Sequence, residues 1–273
     1  MSEAPRLGRQ RVAAADVRRE GQPKEILTRS TAEHWSARVL WRRFSSPTAA
    51  LAIRAGLSAD SVTWLVVGSG VLAAASLLIG SAWGAVLAVV FVHLQMLLDA
   101  ADGEVARWRR TTSARGVFLD RLAHTITEGA MPACLGVGLA RSHPDHATAY
   151  LVAGLALAAL VLVNKSVNDS VAIARAAAGL PRLPDTAAAR EPRKGVARSL
   201  RRAAQLVPVH RGFHSVEQAH LYLAGFVVAL FVPTAMAWLL GALLVLTPLV
   251  IAGHVAAALT SPRLTALGDG AAP

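Results

Sequence analysis

Cysteine is nearly absent: the 273 residues contain one. Cys134 stands alone in an apolar stretch, so an intrachain disulfide and a cysteine metal cluster are both excluded, and it reads as a core residue. Charge is also scarce, at 16% Asp, Glu, Lys and Arg against 54% hydrophobic residues, with a mean hydropathy of +0.45. Soluble domains carry about 25% charged residues. The composition therefore points to a polytopic membrane protein. The first 45 residues lack a signal-type apolar run and have Arg and Lys scattered through them, which argues against a cleaved secretory signal. The first hydrophobic segment then acts as the signal anchor. No nucleotide P-loop, no Ser-His-Asp order and no cysteine pair occurs.

Residues 1–30 are rich in Arg, Ala and Glu without a sustained apolar period, and read as a disordered cytosolic tail. In residues 31–58, Trp35, Val39, Leu40, Leu51 and Ile53 alternate with Arg38, Arg42, Arg43 and Arg54 around Pro47. That pattern fits an interfacial amphipathic segment on an anionic leaflet; a soluble flank of the first span is the alternative. From Val62 to Leu98 no Asp, Glu, Lys or Arg occurs. A crossing takes about 20 helical residues, so this run makes two spans, near 62–80 and 83–103, with a turn at Gly80–Gly84. The apolar run Gly129–Ala140 is too short to cross alone, so span 3 must begin near Gly116. Asp120, Arg121, His124 and Glu128 then lie on its first turns, and ionisable groups in such places are functional candidates by default.

Span 4 runs from Ala147 to near Asn168. Residues 172–212 form a basic cytosolic loop broken by Pro181, Pro184 and Pro192, whose Arg193, Lys194, Arg198, Arg201 and Arg202 suit anionic lipid heads. Leu221–Ser261 is again uncharged and accommodates spans 5 and 6, with a turn expected near Trp238–Gly241. The expected fold is all-α: six transmembrane helices over residues 59–265, preceded by the interfacial segment. Of the 28 Lys and Arg residues, only Arg141 falls in an outer connection, so both termini and the acidic stretch face the cytosol. Topology thus accounts for the net charge of +11, and nucleic acid is not an expected partner.

The acidic stretch carries the chemistry. Asp99 and Asp102, three residues apart, share a face at the inner end of span 2, and Asp120 and His124, four apart, share a face at the start of span 3. A helical hairpin brings the faces together into one pocket of carboxylates and an imidazole. Clustered carboxylate oxygens suit hard cations such as Mg²⁺ or Mn²⁺. Gly103 and Ala106 leave room for a ligand near the backbone, and Arg107 can pair with a phosphate.

These residues resemble a known signature. Asp99-x-x-Asp102-Gly103-x-x-Ala106-Arg107, eight further residues, then Gly116-x-x-x-Asp120-x-x-x-His124 is similar to the motif of the CDP-alcohol phosphotransferases, integral membrane enzymes of phospholipid synthesis. The family has a fourth aspartate where this chain has His124. A weaker element before span 1, commonly Pro-Asn-x-x-Thr in relatives, reads Ala59-Asp60-Ser-Val-Thr63 and keeps only the threonine.

The resemblance implies transfer of a substituted phosphate from a CDP-linked donor, either CDP-diacylglycerol or a soluble CDP-alcohol, to an alcohol hydroxyl with release of CMP. It implies that Asp99, Asp102 and Asp120 hold two divalent ions, that Gly103, Ala106, Arg107 and Gly116 surround the cytidine diphosphate, and that the enzyme is a homodimer among membrane lipids, in the cell membrane. The family's fourth aspartate deprotonates the acceptor and contacts metal. At His124 three readings stay open: a general base, for which imidazole is suited near neutral pH, a metal ligand, or a changed or lost activity. Glu128, one turn on, can orient His124 or supply the missing carboxylate. The rival to the enzyme is a non-catalytic protein that binds nucleotide or lipid on the same scaffold. Asn164, Lys165 and Asn168 suit an acceptor's head group or simple snorkelling. Glu217 and His220 begin span 5, while His93, His214 and His254 lack paired ligand spacing and read as structural.

Overall fold

A computed structural model of the chain describes residues 12–23, 41–181, 213–260 and 264. Residues 1–11 and 24–30 of the expected tail, 31–40 of the expected interfacial segment and 182–212 of the basic loop lie outside the described residues. The described structure is all-helical, with no strand among the described residues. Its α-helices are α1 (Ala14–Gly21), α2 (Arg42–Arg54), α3 (Ala59–Ser76), α4 (Ala82–Arg109), α5 (Ala114–Ser142), α6 (Ala147–Ala177), α7 (Ser215–Ala229) and α8 (Ala235–Thr260).

Four of the described helical segments are long and apolar enough to cross a membrane: Ala59–Ile79, Ala82–Arg109, Pro144–Ala177 and Ala235–Thr260. They correspond to spans 1, 2, 4 and 6. The other two expected spans differ for separate reasons. Helix α5 has the length, at 29 residues, but Arg115, Asp120, Arg121 and Glu128 crowd its first half. Helix α7 has only 15 residues, about 22 Å at a rise of about 1.5 Å per residue, less than the roughly 30 Å hydrocarbon layer.

Turn chemistry explains the boundaries. Gly80 takes φ +66°, the left-handed conformation that glycine adopts without cost, and its carbonyl accepts a hydrogen bond from Ser142 Oγ (3.2 Å) on α5. The turn between spans 1 and 2 thus falls where expected. The last turn does not: residues 230–234 separate α7 from α8, and Trp238–Gly241 lies inside α8. Pro233 has no N–H with which to extend α7, and α8 begins just after it.

Two clusters hold the bundle. The larger joins Ala88 and Val92 of α4, Met131, Leu135 and Leu139 of α5, Leu157 of α6, Tyr222 of α7 and Leu240 of α8. The smaller wraps the inner end of α4: Val12 and Val17 from the N-terminal segment, Ala49, Ala50 and Ile53 from α2, Val62 from α3, and Ala101, Val105 and Trp108. Part of the segment expected to be a loose tail is therefore packed, because two valines with small neighbours fill a groove between α2 and α4. Between the clusters, Gln95 on α4 donates to Thr127 Oγ1 on α5 (2.8 Å), with both side chains fully buried. That bond sets the register of the two helices that carry the acidic residues.

Helices α5 and α6 cross on glycines. A Cβ at Gly154 would meet Gly136 Cα and the Pro132 carbonyl oxygen, each at 2.7 Å, so the backbones approach as small residues allow in membrane bundles. Gly154→Leu is expected to cost at least about 1–3 kcal/mol by overpacking and to lower the unfolding midpoint of the detergent-solubilised protein. Gly68→Leu, where an added Cβ meets nothing within 4 Å, should leave that midpoint unchanged.

Candidate active site

The site is built on the α4–α5 hairpin. Helix α4 ends at Arg110, which takes φ +56°, and α5 starts from Ser113, whose hydroxyl accepts the Gly116 N–H (3.1 Å) as a capping bond. Along the end of α4 the helical period sorts the signature into two faces. Ala101, Val105 and Trp108 are buried in the smaller cluster and Glu104 is buried on the same face, whereas Asp99, Asp102, Gly103, Ala106 and Arg107 are only partly covered. The same sorting leaves Gly116, Asp120 and His124 partly accessible on α5.

Asp99, Asp120 and His124 come together as the spacing implies. His124 Nε2 lies 3.4 Å from Asp99 Oδ1 and 3.5 Å from Asp120 Oδ1. One ligand atom from each of the three falls within 4.8 Å of the others. Two carboxylate oxygens and an imidazole nitrogen at such spacing fit a single divalent cation. These side chains are 32%, 46% and 22% exposed respectively, so the cluster is open to a ligand.

The remaining signature residues sit around that cluster with distinct partners. Asp102 is outside the group of three, and its Oδ2 accepts a hydrogen bond from Thr63 Oγ1 (2.7 Å) on α3. Thr63 is the one residue retained from the weak element before span 1, and this bond gives it a reason to be there. Asp60 of the same element pairs with Arg115 Nε (3.2 Å), tying the start of α3 to the start of α5. Arg107 donates through Nε to the Gly21 carbonyl (2.7 Å), and its guanidinium lies over Gly103: a Cβ there would meet Nη1 at 3.0 Å. An added Cβ at Gly116 would touch only Ser113 Oγ, at 3.6 Å, so its surroundings are open.

Glu128 has partners on other segments of the fold. Its carboxylate accepts from Lys165 Nζ (2.7 Å) and faces His214 Nδ1 (3.2 Å), while its backbone carbonyl accepts from Gln218 Nε2 (3.2 Å). The residue is 5% exposed, and a carboxylate so enclosed requires such partners. Alongside, His254 Nδ1 lies 2.7 Å from Asn164 Oδ1. Two of the three histidines read as structural, His214 and His254, thus belong to a polar cluster joining α5, α6 and α8 to the start of α7. No periodicity announces the pairings of these two histidines, because each joins residues 86 or more positions apart.

Known proteins resemble the chain in sequence and in fold. The family model described as CDP-alcohol phosphatidyltransferase matches residues 57–190, which include every signature residue. A phosphatidylinositol phosphate synthase of Streptomyces avermitilis is 36% identical over 98 residues. That match spans 35% of this chain and 38% of the relative's length. Among solved structures, Mycobacterium tuberculosis phosphatidylinositol phosphate synthase (PgsA1), crystallised with CDP-DAG bound, superposes with a TM-score of 0.56. The superposition covers 82% of this chain and 97% of that one at 22% identity, a likeness of fold. Residues 57–190, with the signature gathered at one end of a helical hairpin, thus match the CDP-alcohol phosphatidyltransferase domain model.

Proposed function

We propose that the protein transfers a substituted phosphate from a CDP-linked donor to an alcohol hydroxyl, with CMP as the leaving group, in phospholipid synthesis. The observation that carries this reading is the convergence of Asp99, Asp120 and His124 from two helices, within 4.8 Å of one another and beside Asp102 and Arg107. CDP-diacylglycerol is the favoured donor, since the structural neighbour was crystallised with CDP-DAG.

In the proposed reaction the acceptor oxygen bonds to the donor phosphorus distal to cytidine. The P–O bond to CMP breaks and CMP keeps its electron pair. His124 Nε2, set between two carboxylates, takes the hydroxyl proton as general base. Asp99, Asp102 and Asp120 would hold two divalent ions, Mg²⁺ or Mn²⁺, which when bound supply electrostatic stabilisation of the diphosphate. Thr63 fixes one oxygen of Asp102 and so limits the directions from which that carboxylate binds. Arg107 supplies positive charge next to Gly103, and Gly103, Ala106 and Gly116 leave the surface low enough for the cytidine diphosphate to approach.

The same reading treats α5 and α7 as crossing with the four apolar helices, giving six spans, and α2 as interfacial, with Phe44 and Leu51 outward at 50% and 66% exposure. Both termini and the site face the cytosol by the distribution of Lys and Arg, in a homodimer of the cell membrane.

The test is CMP release by purified protein from a panel of CDP donors and alcohols, with Mn²⁺, Mg²⁺ or chelator. Metal-dependent release with at least one pair is expected; binding of CDP-diacylglycerol without release under any combination would favour the non-catalytic alternative. His124→Ala should lower kcat by about 10²–10⁴-fold while donor affinity is kept, and near-normal turnover would remove it as the base. Loss of Mn²⁺ binding in the same variant would make it a ligand instead. Thr63→Val, which removes a hydrogen bond to a charged group worth about 1.5–3 kcal/mol, should weaken metal-dependent donor binding by at least about tenfold and change kcat little.

A further inference from the structure

Helix α1 carries no signature residue, yet it is fastened to the signature at adjacent residues. Val12 and Val17 are 4% and 0% exposed, and Arg54 of α2 donates to the Val12 carbonyl through Nε (3.0 Å) and Nη2 (2.6 Å). At the other end of α1, the Gly21 carbonyl accepts Arg107 Nε at 2.7 Å. Gly21 is buried against Glu104, where an added Cβ would meet Glu104 Cβ and Cγ at 3.0 Å. A side chain here would press on Glu104, so glycine eases the approach of this carbonyl to the signature helix.

Gln22 makes the second attachment. Its amide nitrogen lies within hydrogen-bonding reach of Glu104 Oε1 (2.9 Å), Ser46 Oγ (3.0 Å), the Arg42 carbonyl (3.1 Å) and Ser45 Oγ (3.3 Å). Ser45 also donates to Glu104 Oε1. Glu104 is fully buried, and among the described residues its Oε2 has no hydrogen-bond partner. A buried carboxylate served at one oxygen depends strongly on the donors it does have. Gln22 is one of them, and it adjoins the residue that accepts from Arg107.

We infer that Gly21 and Gln22 are positioning residues for the CDP donor: the Gln22–Glu104 bond seats α1 so that the Gly21 carbonyl holds the Arg107 guanidinium over Gly103. A guanidinium on a flexible stem loses rotamer freedom when it binds a phosphate. Tethering it through Nε meets part of that cost before the donor arrives. The N-terminal segment, which lies outside residues 57–190 of the family match, thereby becomes part of the donor site.

This inference rests on the phosphotransferase reading, and the test separates the two. CDP is titrated with Mn²⁺ present into the full-length protein and into Gln22→Met, which keeps the side chain's length and loses the amide. Val17→Ser, which loosens α1 without touching the signature, is the second variant should Gln22→Met not fold. Each variant should raise the Kd for CDP by about tenfold, and in turnover should raise the donor KM while leaving kcat and the acceptor KM within about twofold. Combined with Arg107→Ala, neither should weaken CDP further, because the tether then has nothing to hold; a merely structural role would add its loss in that background too. Unchanged CDP affinity in a folded variant, or a full additional loss without Arg107, overturns the inference and leaves the phosphotransferase reading standing. Failure of the unaltered protein to bind CDP overturns both.

Discussion

Carboxylates at the end of an apolar helix are the constraint on which the rest of this structure depends. Each must meet water, a cation or a hydrogen-bond donor, since the hydrocarbon beside it offers none. The chain resolves this differently on the two faces of α4. On the inner face Glu104 is enclosed by Gln22 and Ser45. On the outer face Asp99 and Asp102 stay partly open, one against His124 and the other against Thr63. The same helix end is thereby both anchored and available.

A division of labour between neighbouring helices follows. Helix α5 brings Asp120 and His124 toward Asp99, then directs Glu128, one turn deeper, to Lys165 and His214. Between these two levels the buried Gln95–Thr127 bond prevents α4 and α5 from sliding, and Gly70 makes room for it, because any Cβ there would strike both side chains. Pre-organisation in this form allows a site of charged groups to exist before its ligands arrive.

The legible part of the molecule was the part written in local spacing. Asp99, Asp102, Asp120 and His124 lie on one hairpin, so periods of three and four residues were enough to place them on facing surfaces. Apolar runs located α3, α4, α6 and α8, and Gly80 located the first turn. Contacts that join distant segments were not legible: Gln22 with Glu104 spans 82 residues, and Gly21 with Arg107 spans 86. Nothing near Gln22 marks it, since the only local signal, Val12 and Val17 five residues apart, is too weak a period to separate a packed helix from a loose tail. The expectation that Glu128 supports His124 came from position on one face. The partners that the carboxylate has in the fold, Lys165 on α6 and His214 just before α7, come from distant segments that local spacing cannot show.

Metal binding at the α4–α5 hairpin is tested by EPR of free Mn²⁺ titrated into the purified protein with CDP-diacylglycerol present. Two bound ions per chain are expected, with binding sharply reduced in Asp99→Asn and in Asp120→Asn. Binding of Mn²⁺ that is the same in those variants as in the unaltered protein would contradict metal binding at this hairpin.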